Sequence, residues 1–185
     1  TTNKGGQCLN TSAFLAMVVV FAKPDIQITA DTTYACAIPF EVEFTDATAN
    51  AISWVWDFGN ATASTLASPL VEYTNYGSFD ISLKVTNIKG CIQTKDFSSF
   101  IDVEKINIDI SASALSGCVP FDVILFDSTN SIRPLVDWNW SFGDGNFANT
   151  QNSAHQYTSA SLFDLSLFVM NDYGCIANVS FPDYI

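Results

Sequence analysis

The 185-residue chain has 19 acidic residues against 7 Lys and Arg, which gives a formal net charge of −12. A chain this acidic repels phosphate backbones and anionic headgroups, so its composition argues against binding to nucleic acids or membrane surfaces. Its 48% hydrophobic and 14% aromatic content is enough for packed cores in one large or two ordinary domains. The longest apolar run, residues 13–22, is shorter than the roughly 20 residues that a membrane span needs, so no membrane insertion is expected in this segment.

In chain order, the sequence after residue 22 consists of short apolar alternations separated by turn-forming residues, with no helical periodicity. Alternate side chains of a strand point to opposite faces, so each alternation predicts a strand with one buried face. These strands are expected to begin at Ile26 and to continue at 40–44, 52–58, 71–73, 79–85 and 101–103. About seven short strands at regular spacing predict an antiparallel β-sandwich.

The most informative strand has Trp54, Trp56 and Phe58 at alternate positions, which places the three aromatic side chains on one face. It leads into a turn at Gly59, because glycine adopts positive φ without steric cost, and Tyr73 lies on a following short strand. A near-copy of this pattern occurs downstream. Its expected fold-signature residues are Trp138, Trp140, Phe142, Gly143, Asp144, Gly145 and Tyr157.

Self-similarity at a fixed period organises the whole chain. Trp54 and Trp138 lie 84 positions apart, and a Gly-Cys or Gly-Gln-Cys turn recurs at Cys8, Cys91 and Cys175. The period predicts three segments: the C-terminal strands of a preceding repeat at 1–22, and complete repeats at 23–104 and 105–185. Because a lone strand pair cannot bury its apolar face, we expect either that an upstream domain precedes the first segment or that the segment completes a neighbouring molecule, and both interpretations indicate a longer array.

The cysteines occupy two positions in each complete repeat, one before the second strand and one at the start of the last strand. The predicted disulfides are Cys36 with Cys91 and Cys118 with Cys175, which leaves Cys8 for an upstream domain or another subunit. Reduced thiols and zinc ligation are the alternatives. Zinc is disfavoured because the sequence has no Cys-x-x-Cys pair and a single histidine. Disulfides indicate an oxidising, extracellular compartment.

The motif Trp138-x-Trp-x-Phe-Gly-Asp-Gly145, followed by His155-x-Tyr157, resembles the polycystic kidney disease (PKD) domain. The first copy is similar, although Asn60 and Ala61 replace the usual Asp-Gly. This resemblance implies an immunoglobulin-like β-sandwich of about this repeat length. The added cysteines are similar to those in PKD arrays of large surface proteins from gliding bacteria of the Bacteroidetes type, which implies an exported adhesin, filament or stalk.

The sequence contains no convincing catalytic, cofactor or metal constellation, so the chain is not expected to be an enzyme. His155 is better explained as a strand residue than as a catalytic base. Asp127, Asp137 and Asp144 are candidates for weak calcium binding, but they are not in an Asp-x-Asp-x-Asp-Gly loop, and turn capping explains them better. Tyr76 and Tyr173, both in predicted turns, are the aromatic candidates for exposed contacts.

These observations favour a structural or adhesive repeat segment of a secreted cell-surface protein, in which disulfide-stapled sandwiches form an extended stalk or filament. The expected partners are neighbouring repeats or copies of the same protein, with surface glycans or other cell-surface proteins as further candidates. The alternative is a carbohydrate- or protein-binding accessory module of a secreted hydrolase.

Overall fold

The computed structural model describes residues 19–185, and this part of the chain contains strands and no helix. The predicted all-β, immunoglobulin-like architecture is confirmed. The strand pair of a preceding repeat was expected at residues 1–22. Most of this segment, including Cys8, lies outside the described residues.

The first sandwich has eight strands in two sheets with the orders β1-β3-β6 and β2-β8-β7-β4-β5. Its strands are β1 Ile28–Ala30, β2 Tyr34–Ala35, β3 Phe40–Asp46, β4 Ala51–Asp57, β5 Ala63–Ser64, β6 Leu70–Tyr73, β7 Gly77–Asn87 and β8 Ile92–Val103. All pairs are antiparallel except β2 with β8, where Tyr34 lies opposite Asp102 in a parallel register. This short parallel pair places Tyr34 beside the end of the first sandwich from which the chain leaves.

The second sandwich has seven strands in two sheets with the orders β9-β10-β13 and β12-β11-β14-β15. Its strands are β9 Ile110–Ala112, β10 Phe121–Asp127, β11 Leu135–Ser141, β12 Phe147–Ala148, β13 Ser153–Tyr157, β14 Leu165–Asn171 and β15 Ile176–Phe181. The alternation of Leu165, Leu167 and Val169 leaves these side chains buried in β14, as a strand with one core face requires.

Each sandwich has its own core around one tryptophan, Trp56 in the first and Trp140 in the second, and both are completely buried. Burying a large apolar side chain contributes roughly 2–3 kcal/mol. Their indole N–H groups donate to the carbonyl oxygens of Leu66 and Thr150 at 2.8 and 3.0 Å, so neither polar edge is left unpaired. The repeated aromatic strand is therefore the centre of each core.

The tyrosines of the signature fix the turn that follows each aromatic strand. Tyr73 donates from its hydroxyl to the Phe58 carbonyl at 3.2 Å, and Tyr157 donates to the Phe142 carbonyl at 2.9 Å. Gly143 has φ of +80°, and a Cβ there would lie 2.5 Å from the Asp164 carbonyl oxygen. Glycine is needed at this turn both for its conformation and for the close approach of the neighbouring chain.

Candidate functional site: the joint between the two sandwiches

The two sandwiches are joined by a disulfide between Cys36 and Cys175, whose Cα atoms are 5.3 Å apart. The predicted pairing of Cys36 with Cys91 and of Cys118 with Cys175 is therefore wrong. Cys91 and Cys118 are free thiols among the described residues. The staple links one domain to the next, and it does not close either sandwich on itself.

The physical reason lies in the β7–β8 ladder. Cys36 directly follows β2, which pairs with β8 at Asp102 and Val103, whereas Cys91 lies in the hairpin at the other end of β8. β8 has 12 residues, and at about 3.3 Å per residue this strand separates the two positions by roughly 36 Å. A disulfide requires Cα atoms within about 7 Å, so this intradomain pair cannot form.

Beside the disulfide, Glu104 is 2% exposed and lies at the junction of the two sandwiches. One carboxylate oxygen accepts hydrogen bonds from the Tyr34 hydroxyl and from the Asn171 amide, the latter at 2.8 Å. The other accepts from the Ser131 hydroxyl at 2.5 Å and the Ile132 backbone N–H at 2.6 Å. Four donors thus surround a buried carboxylate, which is the condition under which such a group is tolerated inside a protein.

Donors to this carboxylate come from both sides of the joint. Tyr34 belongs to the first sandwich, and Asn171, Ser131 and Ile132 belong to the second. The Asn171 amide also donates to the Tyr34 hydroxyl oxygen at 2.8 Å, so the network crosses the interface directly. Burial, followed by the hydrogen bond and negative charge of Glu104, raises the pKa of Tyr34 well above its ordinary value. Tyr34 therefore remains a neutral donor at all ordinary pH values.

Aromatic and cationic groups cover the outside of this network. The ring centroids of Tyr34 and Tyr173 are 4.3 Å apart, and the Arg133 guanidinium lies 5.3 Å from the first ring and 5.8 Å from the second. Tyr34 packs with the core of the second sandwich although it belongs to the first. Tyr173, predicted from its turn as an exposed contact residue, is half exposed but makes its contacts within the joint.

Sequence reasoning did not identify the residues of this joint: Tyr34, Glu104, Ser131, Ile132, Arg133 and Asn171. One signal was present. In each copy, the first tryptophan of the aromatic strand, Trp54 or Trp138, donates its indole N–H to an aspartate. This aspartate lies 8 positions before Trp54 in the first copy and 11 positions before Trp138 in the second. The three extra residues fall in the loop that contains Ser131 and Ile132, where the second copy contacts Glu104.

Three of the remaining candidate residues, His155, Asp144 and Asp127, have structural contacts. His155 Nε2 lies 2.8 Å from Asp144 Oδ2, and its ring stacks on Phe142 with centroids 4.1 Å apart. Partial burial acts to raise the pKa of Asp144, but hydrogen bonds from Asn146 and His155 outweigh it and hold that pKa below its usual value. Asp127 accepts from the Trp138 indole at 2.8 Å and caps Thr129.

No group of three or more His, Cys, Asp or Glu side chains within residues 19–185 is arranged to hold a metal ion. Over the same residues, no helix is long and apolar enough to cross a membrane. The outer tryptophans, Trp54 and Trp138, are partly buried and have bonded indole N–H groups, so they are not free platforms for a sugar.

Two antiparallel sandwiches in tandem, joined end to end, define this molecule as a tandem immunoglobulin-like protein. The family model of the PKD domain matches residues 21–101 and 106–184. The chain therefore belongs to the PKD domain family. PKD domains are typically non-catalytic accessory modules, and this membership fits a role as a repeat or accessory segment.

Pre-pro-metalloprotease PrtV of Vibrio cholerae serotype O1 is 29% identical over 135 residues, which are 73% of this chain. The chain spans only 15% of the length of that relative. The crystal structure of the PKD1 domain from V. cholerae PrtV is 28% identical, with a TM-score of 0.39, and covers 45% of this chain and all of that domain. The mouse nectin-like molecule 4 ectodomain (Ig1–Ig3) has a TM-score of 0.56 at 13% identity, covers 86% of this chain and 63% of its own, and shares the fold.

Proposed function

We propose that this chain is a stiff, stapled segment of a secreted cell-surface protein, where it acts as a spacer within an extended stalk or filament. The observation that carries the proposal is the joint itself: the Cys36–Cys175 disulfide beside a buried, fully hydrogen-bonded Glu104. A disulfide of this kind persists only in an oxidising compartment, which supports an extracellular location.

The staple determines how the segment responds to tension. Cys36 and Cys175 are 139 positions apart, and each lies near one end of the described chain. When the ends are pulled, force passes through the disulfide and bypasses the strands between the two cysteines. Those strands include most of both sandwiches, so tension on the oxidised segment does not unfold them.

Single-molecule force spectroscopy on the full chain, held between handles at its two ends, tests this function. The oxidised chain should extend only by the residues outside the staple, whereas reduction or the Cys36→Ser/Cys175→Ser variant should release a further 460–500 Å or so, at about 3.3–3.6 Å per residue. Cys91→Ser, which leaves the staple intact, is the matched control and should extend like the oxidised chain. Equal extension of the oxidised chain and the double variant would remove the basis of the proposal.

A second candidate function is an accessory module of a secreted hydrolase that binds a carbohydrate. It is favoured by Phe147, which is 68% exposed and lines a shallow cavity of about 260 Å³ with Asn139 and Asn149. An exposed aromatic ring beside amide groups suits stacking on a sugar. Measurable binding of the folded chain to a polysaccharide, abolished by Phe147→Ala, would support this function. No binding across a glycan array would argue against it.

A further inference from the structure

The outer face of the four-stranded sheet in the second sandwich has an ordered set of side chains. Trp140, Leu167 and Val169 point into the core, so the residues that alternate with them on β11 and β14 point outward. The strand register then places the outward residues in rows across the sheet. One row contains Asn139, Phe168 and Asn178, and the next contains Phe147, Ser141, Ser166 and Ser180.

These two rows contain no charged side chain, and the first places an aromatic ring between two amides. Asn139 and Asn178 lie directly opposite Phe168 on its two sides, and the Cβ atoms of side chains opposed in this way are about 5 Å apart. Both asparagines are exposed, Phe168 is partly exposed, and Phe147 at the edge is 68% exposed. On one side the neutral patch ends at the row that contains Asp137.

The same face of the first sandwich shows what differs in the second. Each residue of the two rows has a counterpart 84 positions earlier, in the same strand register, and three of these counterparts are charged: Asp57, Lys84 and Asp96. In their place the second sandwich has the neutral residues Ser141, Phe168 and Ser180. It also has Phe147 where the first has Ala63. Both sandwiches form the same sheet, so the sheet does not require these differences, and they point to a function of the surface.

The size of the patch suits a glycan better than a protein partner. Adjacent strands lie about 4.8 Å apart and the rows are two residues apart, so with the extent of its side chains the patch covers roughly 300 Å². A stable protein interface buries about 800 Å² on each partner. Sugar rings stack their C–H faces on aromatic rings, and their hydroxyl groups exchange hydrogen bonds with amides and hydroxyls, which are the groups present here.

We propose that this outer face of the second sandwich binds a neutral, extended glycan of β-1,4-linked pyranose rings. The inference rests on the second candidate function and names its ligand. Phe168 stacks on one sugar ring, and Asn139 and Asn178 bond to its hydroxyl groups. Phe147 contacts a ring further along the glycan, because the two aromatic residues lie roughly 12 Å apart on the sheet. An acidic glycan is excluded, since the net charge of −12 repels it.

Isothermal titration calorimetry of the full chain with β-1,4-linked hexasaccharides of glucose, mannose and xylose tests the proposal. At least one should bind. The hexasaccharide of β-1,4-linked mannuronic acid, which has carboxylates and the same linkage, should not. Phe168→Lys introduces the residue that the first sandwich has at this position, so the sheet tolerates it, and it should weaken binding about tenfold. Asn178→Thr, also the residue of the first sandwich, should weaken binding about fivefold.

Leu70→Lys is the matched control, because Leu70 is 67% exposed but lies on β6 of the first sandwich, and it should leave binding unchanged. Urea unfolding of each variant checks that the fold is retained. A dimer that forms without glycan and is lost in Phe168→Lys would overturn the proposal, since a second copy would then occupy the face.

The two failures are distinguishable. Glycan binding that Phe147→Ala abolishes and Phe168→Lys leaves unchanged would overturn this inference while the accessory function stands, as would equal binding of the neutral and acidic mannose hexasaccharides. A blank glycan array would overturn both. None of these outcomes affects the force response of the chain, on which the spacer function depends.

Discussion

Replacement of Glu104 by alanine tests the joint most directly, because the disulfide stays in place while the hydrogen-bonded network is lost. The change leaves the Ile132 N–H, the Ser131 hydroxyl and the Tyr34 hydroxyl without their acceptor, and the Asn171 amide loses one of its two acceptors. Each buried donor left unpaired costs about 1–3 kcal/mol. Since Asn171 keeps its bond to Tyr34, and the Ile132 N–H and Ser131 hydroxyl are only partly buried, the Tyr34 hydroxyl carries most of the loss, and we expect the free energy of unfolding to fall by about 1–3 kcal/mol.

The assay is urea unfolding of the oxidised protein, followed by tryptophan fluorescence, together with hydrogen exchange at the Ile132 amide. Glu43→Ala is the matched control, because Glu43 is an exposed β3 residue whose carboxylate makes no hydrogen bond in the described structure. We expect this control to lie within about 0.5 kcal/mol of the natural protein. If Glu104→Ala were equally silent and the Ile132 amide stayed protected, the carboxylate would not hold the joint.

Two further predictions concern the sandwiches themselves. Gly143→Ala should destabilise by about 2–4 kcal/mol, because its Cβ would lie 2.5 Å from the Asp164 oxygen, whereas Gly145→Ala, also at positive φ but with open space, should cost about 1 kcal/mol in the same urea assay. Burial and then the charge of Asp144 raise the pKa of Tyr157 to about 12 from 10.0, so the folded chain retains a proton that the unfolded chain releases. The contribution of Tyr157 to stability should thus be constant below pH 10 and be lost, by up to about 3 kcal/mol, as the pH rises to 12, so the fall over this range should be shallower in Tyr157→Phe.

The sandwich fold could be predicted because its determinants are local. Trp54, Trp56 and Phe58 alternate over five positions, and the strand geometry alone places them on one face. The second copy repeated the same pattern, so the periodicity identified two similar units without knowledge of any contact between them. The tyrosines and turn glycines of the signature could also be identified from the sequence, because their positions after the aromatic strand were sufficient.

The disulfide pairing could not be predicted in the same way, because it depends on which ends of the two sandwiches meet. A repeat suggests that each copy is complete, and that reasoning paired Cys36 with Cys91. The length of β8 argues against the pair once it is known that Cys36 follows a strand paired with the far end of β8. Glu104 was also missed, since a glutamate between two repeats looks like an ordinary linker residue until its four donors are seen.

The covalent links and the hydrogen-bonded network have different mechanical effects at the joint. The chain at residues 104–105 and the Cys36–Cys175 disulfide connect the sandwiches at two points, and two points define an axis about which rotation is still possible. The bonds from Ser131 and Ile132 to Glu104, and from Asn171 to Tyr34, are additional contacts across the interface, and we expect them to resist that rotation. Under the proposed spacer function, we expect the disulfide to set the strength of the joint and the buried carboxylate to set its stiffness. It follows that Glu104→Ala should leave the force needed for full extension unchanged while broadening the distribution of interdomain distances.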